Sequence, residues 1–363
     1  MYESLKFSKN NFLNFYQNMI NIPIKEQLMM NYIGSKLKLS SWIKDEIKAV
    51  AGSDLSNKVF CDMFAGTGII GRTFKQDVKK VIANDLEYYS YILNRHYIAN
   101  NTEIEDREYY IERLNNLPLV DDGFIYQNYC LGSGSGRQYF SDENGKKIDT
   151  IRIEIERWYN NEEIDDDLYY FLLASLIESV DKVANTASVY GAFLKHLKKP
   201  AQKKLILESA DFIPTNSPNI VFNEDSNRLI KSISGDILYL DPPYNQRQYG
   251  ANYHLLNTIA LYKPFKPKGK TGLPTYNRSS YCKKSEVINS FEELIKNADF
   301  KYIFLSYNNE GLVNQKDIEN IMERYGKYDL VTQEYQRFKS DRSENRYHKT
   351  DKTFEYLHIL EKK

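Results

Sequence analysis

In Asp241-Pro242-Pro243-Tyr244 an acid, two prolines and a tyrosine follow directly on the apolar run Ile237 to Leu240. Proline fixes its own φ and has no N–H, so this backbone is stiff and offers only carbonyls beside the Asp241 carboxylate. Such a surface accepts hydrogen bonds, and its complement is an amine with hydrogens to give. Tyr244 adds an aromatic plane on which a flat ring can stack. An exocyclic amine on a nucleobase meets both demands. Its lone pair is delocalised into the ring; acceptors on its hydrogens draw the nitrogen toward tetrahedral geometry and free the pair for attack. Positioning and electrostatics can support that chemistry without a metal. A turn that merely ends a strand accounts for each residue singly and for the four together poorly.

A second constellation is M-F-A-G-T-G-I-I-G, where Gly66, Gly68 and Gly71 stand as G-x-G-x-x-G between an apolar strand and a helix. Glycine lets the chain turn sharply and lets a ligand touch main chain, while Asp85, at the end of the next apolar run, can accept from two ribose hydroxyls. A nucleotide-bearing ligand is expected. A dinucleotide would set its pyrophosphate on the helix N-terminus, whereas the adenosine of S-adenosylmethionine needs the same turn and acid without a phosphate. The glycines do not choose between them.

These groups need a parallel sheet to bring them together. Leu39, Ile43, Ile47 and Val50 recur at helical spacing and predict a helix over 37–50. Val59 to Met63, a glycine turn, a helix from about Ile69 and a strand ending at Asp85 make a βαβ unit. Strands at N-I-V-F-N-E-D from Asn219 and D-I-L-Y-L-D-P-P-Y resume the pattern after a gap of more than a hundred residues, which marks an insertion. Within it Asn144-Gly145 is a hairpin-turn signal, followed by helical stretches around 151–158 and 168–184. Three strands close the chain, K-Y-I-F-L-S-Y-N-N, Y-D-L-V-T-Q-E-Y-Q-R-F and T-F-E-Y-L-H-I-L-E-K-K; the last two lie too close for a helical crossover and should pair antiparallel. The segment 263–284, with Pro264, Pro267, Gly269, Gly272 and Pro274, reads as a long loop, of the length that is usually functional or mobile.

Composition narrows the rest. The chain has 363 residues, 42% of them hydrophobic, enough to bury a substantial core. Lys plus Arg and Asp plus Glu both total 49, so any nucleic-acid surface must be local. Cys61, Cys130 and Cys282 match neither a disulfide framework nor zinc-ligand spacing, and the five histidines show no metal-ligand pattern; reduced thiols, a cytoplasmic setting and no metal are expected. No run approaches the ~18 apolar residues of a membrane span, so no membrane partner is expected.

Together D-P-P-Y at 241–244, F-A-G-T-G at 64–68 and N-Y-I-G-S-K at 31–36, in that order, resemble the Dam-like DNA adenine-N6 methyltransferases. The following N-Q-R-Q-Y-G-A-N-Y-H-L-L-N-T-I-A is similar to the subgroup that includes the FokI-type modification methylases, and D-K-V-A-N-T-A-S-V-Y-G-A-F-L-K-H-L-K-K, residues 181–199, to that subgroup's target-recognition region. The resemblance implies a Rossmann-like α/β methyltransferase sheet, parallel with an antiparallel C-terminal strand, dependent on S-adenosylmethionine. Beyond a polar leader over 1–30, which it does not cover, it implies a catalytic domain over 31–100 and 216–363, and a mainly helical target-recognition domain inserted over 101–215.

It further implies that Tyr32 and Lys36 contact the cofactor's methionine part or adenine, that the backbone around Ala65 and Gly66 holds its amino-acid portion and Asp85 its ribose, with Asp62, Phe64, Thr67, Gly68 and Asp241 as further cofactor contacts. Asp225 would meet the cofactor's adenine amine. Asp241 and the Pro242 carbonyl, with Pro243 stiffening the turn, would accept from the amine of a flipped adenine stacked on Tyr244. Asp241 favours adenine, since cytosine-N4 enzymes more often carry serine there. Y-I-G-S-K departs from the aromatic-Ala-Gly-Gly-Lys form of many relatives.

Double-stranded DNA is the implied partner, and a cognate restriction endonuclease is left open as a second. Lys195, Lys198 and Lys199, with the run 196–204, and the loop 262–270 concentrate cations as a phosphate-tracking surface would. Arg247, Gln248, Tyr249, Asn277, Arg278 and Tyr281 are candidates to reach DNA beside the flipped base. RNA adenine methylation, a nicotinamide-dependent oxidoreductase and a silent nucleic-acid-binding homologue remain as alternatives.

Overall fold

The computed structural model describes residues 35–336 and 352–363. Tyr32, the leader over 1–30 and most of N-Y-I-G-S-K lie outside the described residues. After a tight 3₁₀ turn at Leu37–Leu39, α1 (Ser40–Ala51) turns Ile43 and Ile47 inward, as their four-residue spacing requires. β1 (Val59–Asp62), α2 (Ile69–Phe74) and β2 (Lys80–Asn84) form the expected βαβ unit, and α3 (Tyr88–Asn94) runs on into a π-helical turn at Arg95–Ala99. The insertion carries α4 (Arg107–Asn115), α5 (Phe124–Tyr129), α6 (Asp142–Asn160) and α7 (Asp166–Val183). Then come β3 (Ile220–Phe222), α8 (Ser226–Leu229), β4 (Ser234–Leu240), α9 (Tyr249–Asn252) and α10 (His254–Leu261). The chain ends with α11 (Val287–Asn297), β5 (Asp299–Asn308), α12 (Gln315–Glu323), β6 (Gly326–Gln336) and β7 (Lys352–Lys362).

The seven strands order as β3-β2-β1-β4-β5-β7-β6. β1 pairs in parallel with both β2 and β4, β2 with β3 and β4 with β5, while β7 runs antiparallel between β5 and β6. The fold is thus a Rossmann-like α/β sheet with its reversed strand at the C-terminal end. Chain order departs from β1 in opposite directions, so a crevice opens beyond the ends of β1 and β4, the place where open α/β sheets bind ligands.

Period-two alternation along the strands feeds both faces. Phe60, Ile237 and Tyr239 pack with α1 and α2 on one side; Cys61, Leu238 and Leu240 pack with Phe291 and Leu294 of α11 on the other. The insertion's apolar side chains, including Trp158, Phe171 and Leu172, form a third core with Ile92 and Leu93 of α3 and with Leu255, Leu256 and Ile259 of α10. The inserted helices therefore rest on the two helices that follow β2 and β4.

One local expectation is overturned. Asn144-Gly145 makes no hairpin; both residues lie in the first turn of α6. Ser141 caps that helix by accepting from Asn144 N at 3.3 Å, and Asp142 and Glu143 suit its positive end. Asn144 spends its amide on the returning chain, donating to the Lys203 carbonyl and accepting from Leu205 N, each at 2.8 Å. A Cβ at Gly145 would collide with Cys130 Sγ, so the glycine serves packing rather than a turn.

Candidate active site

The glycine turn leaves β1 at Asp62, with Gly66 and Gly68 at φ 53° and 79°, a region that side chains disfavour. At Gly68 space adds a second reason, since a Cβ would lie 2.7 Å from Asn94 Oδ1. Asp85 locks the turn from the end of β2: its Oδ2 accepts from Gly66 N at 2.9 Å and its Oδ1 from Glu87 N at 2.8 Å. Ser90 and Asn94 of α3 both donate to the Gly66 carbonyl, Asn94 at 3.0 Å. Asp62 accepts from Gly71 N at 3.1 Å through Oδ2, while its Oδ1 is buried with no hydrogen-bond partner. Burial pushes the Asp62 carboxyl up to about 8 and Glu87 to about 7, and raises Asp85 as well.

Across the crevice the stiff turn after β4 presents Asp241, 17% exposed at its side chain. Lys36, 5% exposed, donates to Asp241 Oδ1 at 2.8 Å and also to the Tyr244 hydroxyl, which in turn donates to the same Oδ1. Oδ1 is thereby occupied, and Oδ2 carries no hydrogen bond while remaining accessible. Behind them stands Glu355 of β7, whose Oε1 lies 3.5 Å from Lys36 Nζ and 3.4 Å from the Tyr244 hydroxyl and accepts from Ser306. Burial raises Asp241 above the usual carboxylate range, and the adjoining Lys36 ammonium pulls it back down. The Tyr244 hydroxyl is pushed well up by burial and then by the Asp241 charge, so it stays a donor.

One pocket joins the two sides. Of the residues the sequence nominates for the cofactor, Lys36, Asp62, Phe64, Ala65, Gly66, Thr67, Asp85, Asp225 and Asp241 line it; Gly68 shapes the turn from behind. Pro243 and Tyr244 line it as well, whereas Pro242 is buried beneath. Asp225 is exposed at its rim and caps α8, accepting from Asn227 N at 3.0 Å and Arg228 N at 3.1 Å. Asp85, Glu224, Asp225 and Asp241, together with the carboxyls of Asp62 and Glu87 that burial pushes up to about 8 and about 7, face a single cation, Lys36, among the described lining residues. That balance fits a ligand carrying positive charge and hydroxyls, and it disfavours a pyrophosphate.

The residues nominated for DNA divide. Tyr281 is 3% exposed, sets its ring edge-on to Phe64 at 5.0 Å and donates to Asn227 Oδ1 at 2.7 Å. Tyr281 thus stands in the pocket wall, where its ring covers Phe64 and packs with α11. Gln248 and Tyr249 also line the pocket, with Gln248 tied to Ser279 in both directions. Lys198 donates to the Thr186 carbonyl at 2.7 Å, so its ammonium already has a partner. Lys195, Lys199, Arg247, Asn277 and Arg278 are exposed. Sequence reasoning missed Glu87, Ser306 and Glu355; the last two carry no motif, and Glu355 meets Lys36 and Tyr244, and Ser306 meets Glu355, only through the sheet. Among the described residues there is no group able to hold a metal ion, and no helix long and apolar enough to cross a membrane.

The model of the D12 class N6 adenine-specific DNA methyltransferases matches residues 32–321. The chain is 66% identical over 333 residues to the type II methyltransferase M.NlaIII of Neisseria lactamica, covering 92% of this chain and 99% of that one. It is 39% identical over 312 residues to M.CviAII of Paramecium bursaria Chlorella virus 1, covering 86% and 93% respectively. M.FokI of Planomicrobium okeanokoites is 39% identical over 348 residues, 92% of this chain but 53% of that relative.

Proposed function

The chain belongs to the D12 class of N6 adenine-specific DNA methyltransferases, and from that premise we propose that its Asp241 to Tyr244 turn receives the target adenine and its glycine turn the methyl donor. It is a site-specific DNA adenine methyltransferase of the type II modification kind. The observation that carries the residue assignment is the unequal Asp241 carboxylate, with Oδ1 saturated by Lys36 and Tyr244 and Oδ2 left open to the pocket.

S-adenosylmethionine is the methyl donor in this reading, and when bound it supplies an electrophilic methyl group on a sulfonium. The acid-rich pocket suits that cation, and the half-buried Asp85, already ordered by two backbone N–H groups, is placed to accept from ribose hydroxyls. Asp225 at the rim accepts from an adenine amine. On the other side Asp241 Oδ2 and the Pro242 carbonyl accept the two hydrogens of the target amine. They draw its lone pair out of the ring, and the Asp241 carboxylate takes up the proton that the nitrogen sheds as its new bond to carbon forms. The Tyr244 ring stacks on the base.

Residues 101–215 act as the target-recognition region over duplex DNA, with Lys195, Lys199, Arg247, Asn277 and Arg278 exposed for phosphates or base edges and Lys198 holding its loop. A cognate restriction endonuclease would share the recognised sequence. Family membership sets aside the nicotinamide alternative. Single-molecule sequencing of DNA from an expressing host should show N6-methyladenine within one recurring sequence. The same purified protein should label that duplex and not an RNA copy of it; unmodified host DNA and an unlabelled duplex would overturn the reading.

A further inference from the structure

Glu355 shares its strand face with Leu357 and Ile359, both in the apolar core, because side chains two apart point the same way. An apolar residue is what that position ordinarily takes. Glu355 is fully buried there, and one of its oxygens, Oε2, has no hydrogen-bond partner. Burying a carboxylate this incompletely satisfied is unfavourable unless its other contacts require it. Those contacts all fall on Oε1, where Ser306, the Tyr244 hydroxyl at 3.4 Å and Lys36 Nζ at 3.5 Å converge.

We infer that Glu355, held by Ser306, is a positioning residue for methyl transfer: it fixes the Lys36 ammonium and the Tyr244 hydroxyl against Asp241 Oδ1, so that the plane of the Asp241 carboxylate presents Oδ2 to the target amine. The inference rests on the reading that Asp241 accepts from that amine. Lys36 is a point charge on a flexible stem, so the direction of its ammonium is set by the groups that surround it. Glu355, 3.5 Å from that ammonium, adds a second carboxylate that narrows its orientations. Ser306 is fully buried on β5, the strand beside β7, and fixes Oε1 in turn. Glu355 touches neither base nor cofactor in this arrangement, and its effect passes through Lys36 and Tyr244.

Glu355→Gln keeps volume and an acceptor but removes the charge. We expect its kcat to fall about 10-fold while KM for duplex DNA and Kd for S-adenosylmethionine stay within about 2-fold. The acid limb of its kcat profile should move to lower pH, because the Glu355 charge opposes ionisation of Asp241. Ser306→Ala should lower kcat in the same manner but less. Wild-type kcat with an unmoved limb in Glu355→Gln overturns the inference, as does a loss of cofactor affinity that matches the loss of kcat. If Glu355→Gln does not fold, Ser306→Ala decides alone on the split between kcat and KM. Asp241→Ala separates the two levels: if it methylates normally the underlying reading fails, whereas an inactive Asp241→Ala beside a normal Glu355→Gln removes only the role of Glu355.

Discussion

The two sides of the pocket hold their acids by different means. On the glycine-turn side Asp62 and Asp85 are fixed by backbone N–H groups close along the chain, Gly71 nine residues from Asp62 and Gly66 nineteen from Asp85. On the other side Asp241 is fixed by side chains, and Lys36 is 205 residues away. Main-chain donors survive every substitution except proline and are placed by the local backbone. A side-chain network instead depends on every member and on the sheet that gathers them. The first side should therefore tolerate substitution with graded losses of affinity, and the second should fail in turnover.

The sharpest test is Asp241→Ala. Removing the open acceptor should lower kcat by about 100-fold to 1000-fold, with S-adenosylmethionine binding weakened but measurable by calorimetry. Full activity in that variant would erase the distinction between the sides.

Tyr244 comes next. Stacking predicts that Tyr244→Ala loses more turnover than Tyr244→Phe, and the hydroxyl's bond to Asp241 adds that Phe also loses some, about 10-fold, in single-turnover assays. Equal losses would mean that the ring itself contributes nothing.

Asp85→Ala tests the opposite side. Its Kd for S-adenosylmethionine should rise about 10-fold or more, while kcat at saturating cofactor changes far less. A fall in kcat with Kd unchanged would contradict the division of labour.

The smallest effect is one of stability. The folded protein keeps a proton on Asp62 up to about 8, whereas the unfolded chain releases it near the ordinary carboxylate value. The native state then binds more protons over that window, so this residue's contribution falls as pH rises from about 4 to 8. Asp62→Asn should flatten that decline in urea midpoints of the cofactor-free protein; an unchanged slope would show that Asp62 is ionised.

Much of this was open to sequence reasoning where function and local backbone coincide. The turn after Leu240 needs its prolines within the motif itself, and Gly66 and Gly68 adopt positive φ where the spacing placed them. The antiparallel pairing of β6 with β7 followed from the short connection between them. Asn144-Gly145 shows the limit: the dipeptide favours a tight turn, yet the Ser141 cap and the long-range bonds of Asn144 to Lys203 and Leu205 put it in a helix. The burial of Tyr281 against Phe64 is likewise a tertiary matter, because a tyrosine in a polar loop gives no sign of the ring it will cover.

The acceptor turn, the glycine turn, the parallel strands and the long gap before β3 can all be read along the chain, because each is encoded by residues adjacent in it. Folding alone brings Lys36 and Tyr244 together on one oxygen of Asp241, sets Glu355 and Ser306 behind them, and rests the inserted helices on α3 and α10. Those facts depend on strand order and on the faces that side chains take once the sheet closes. No local pattern records which residues of β5 and β7 will lie behind the end of β4.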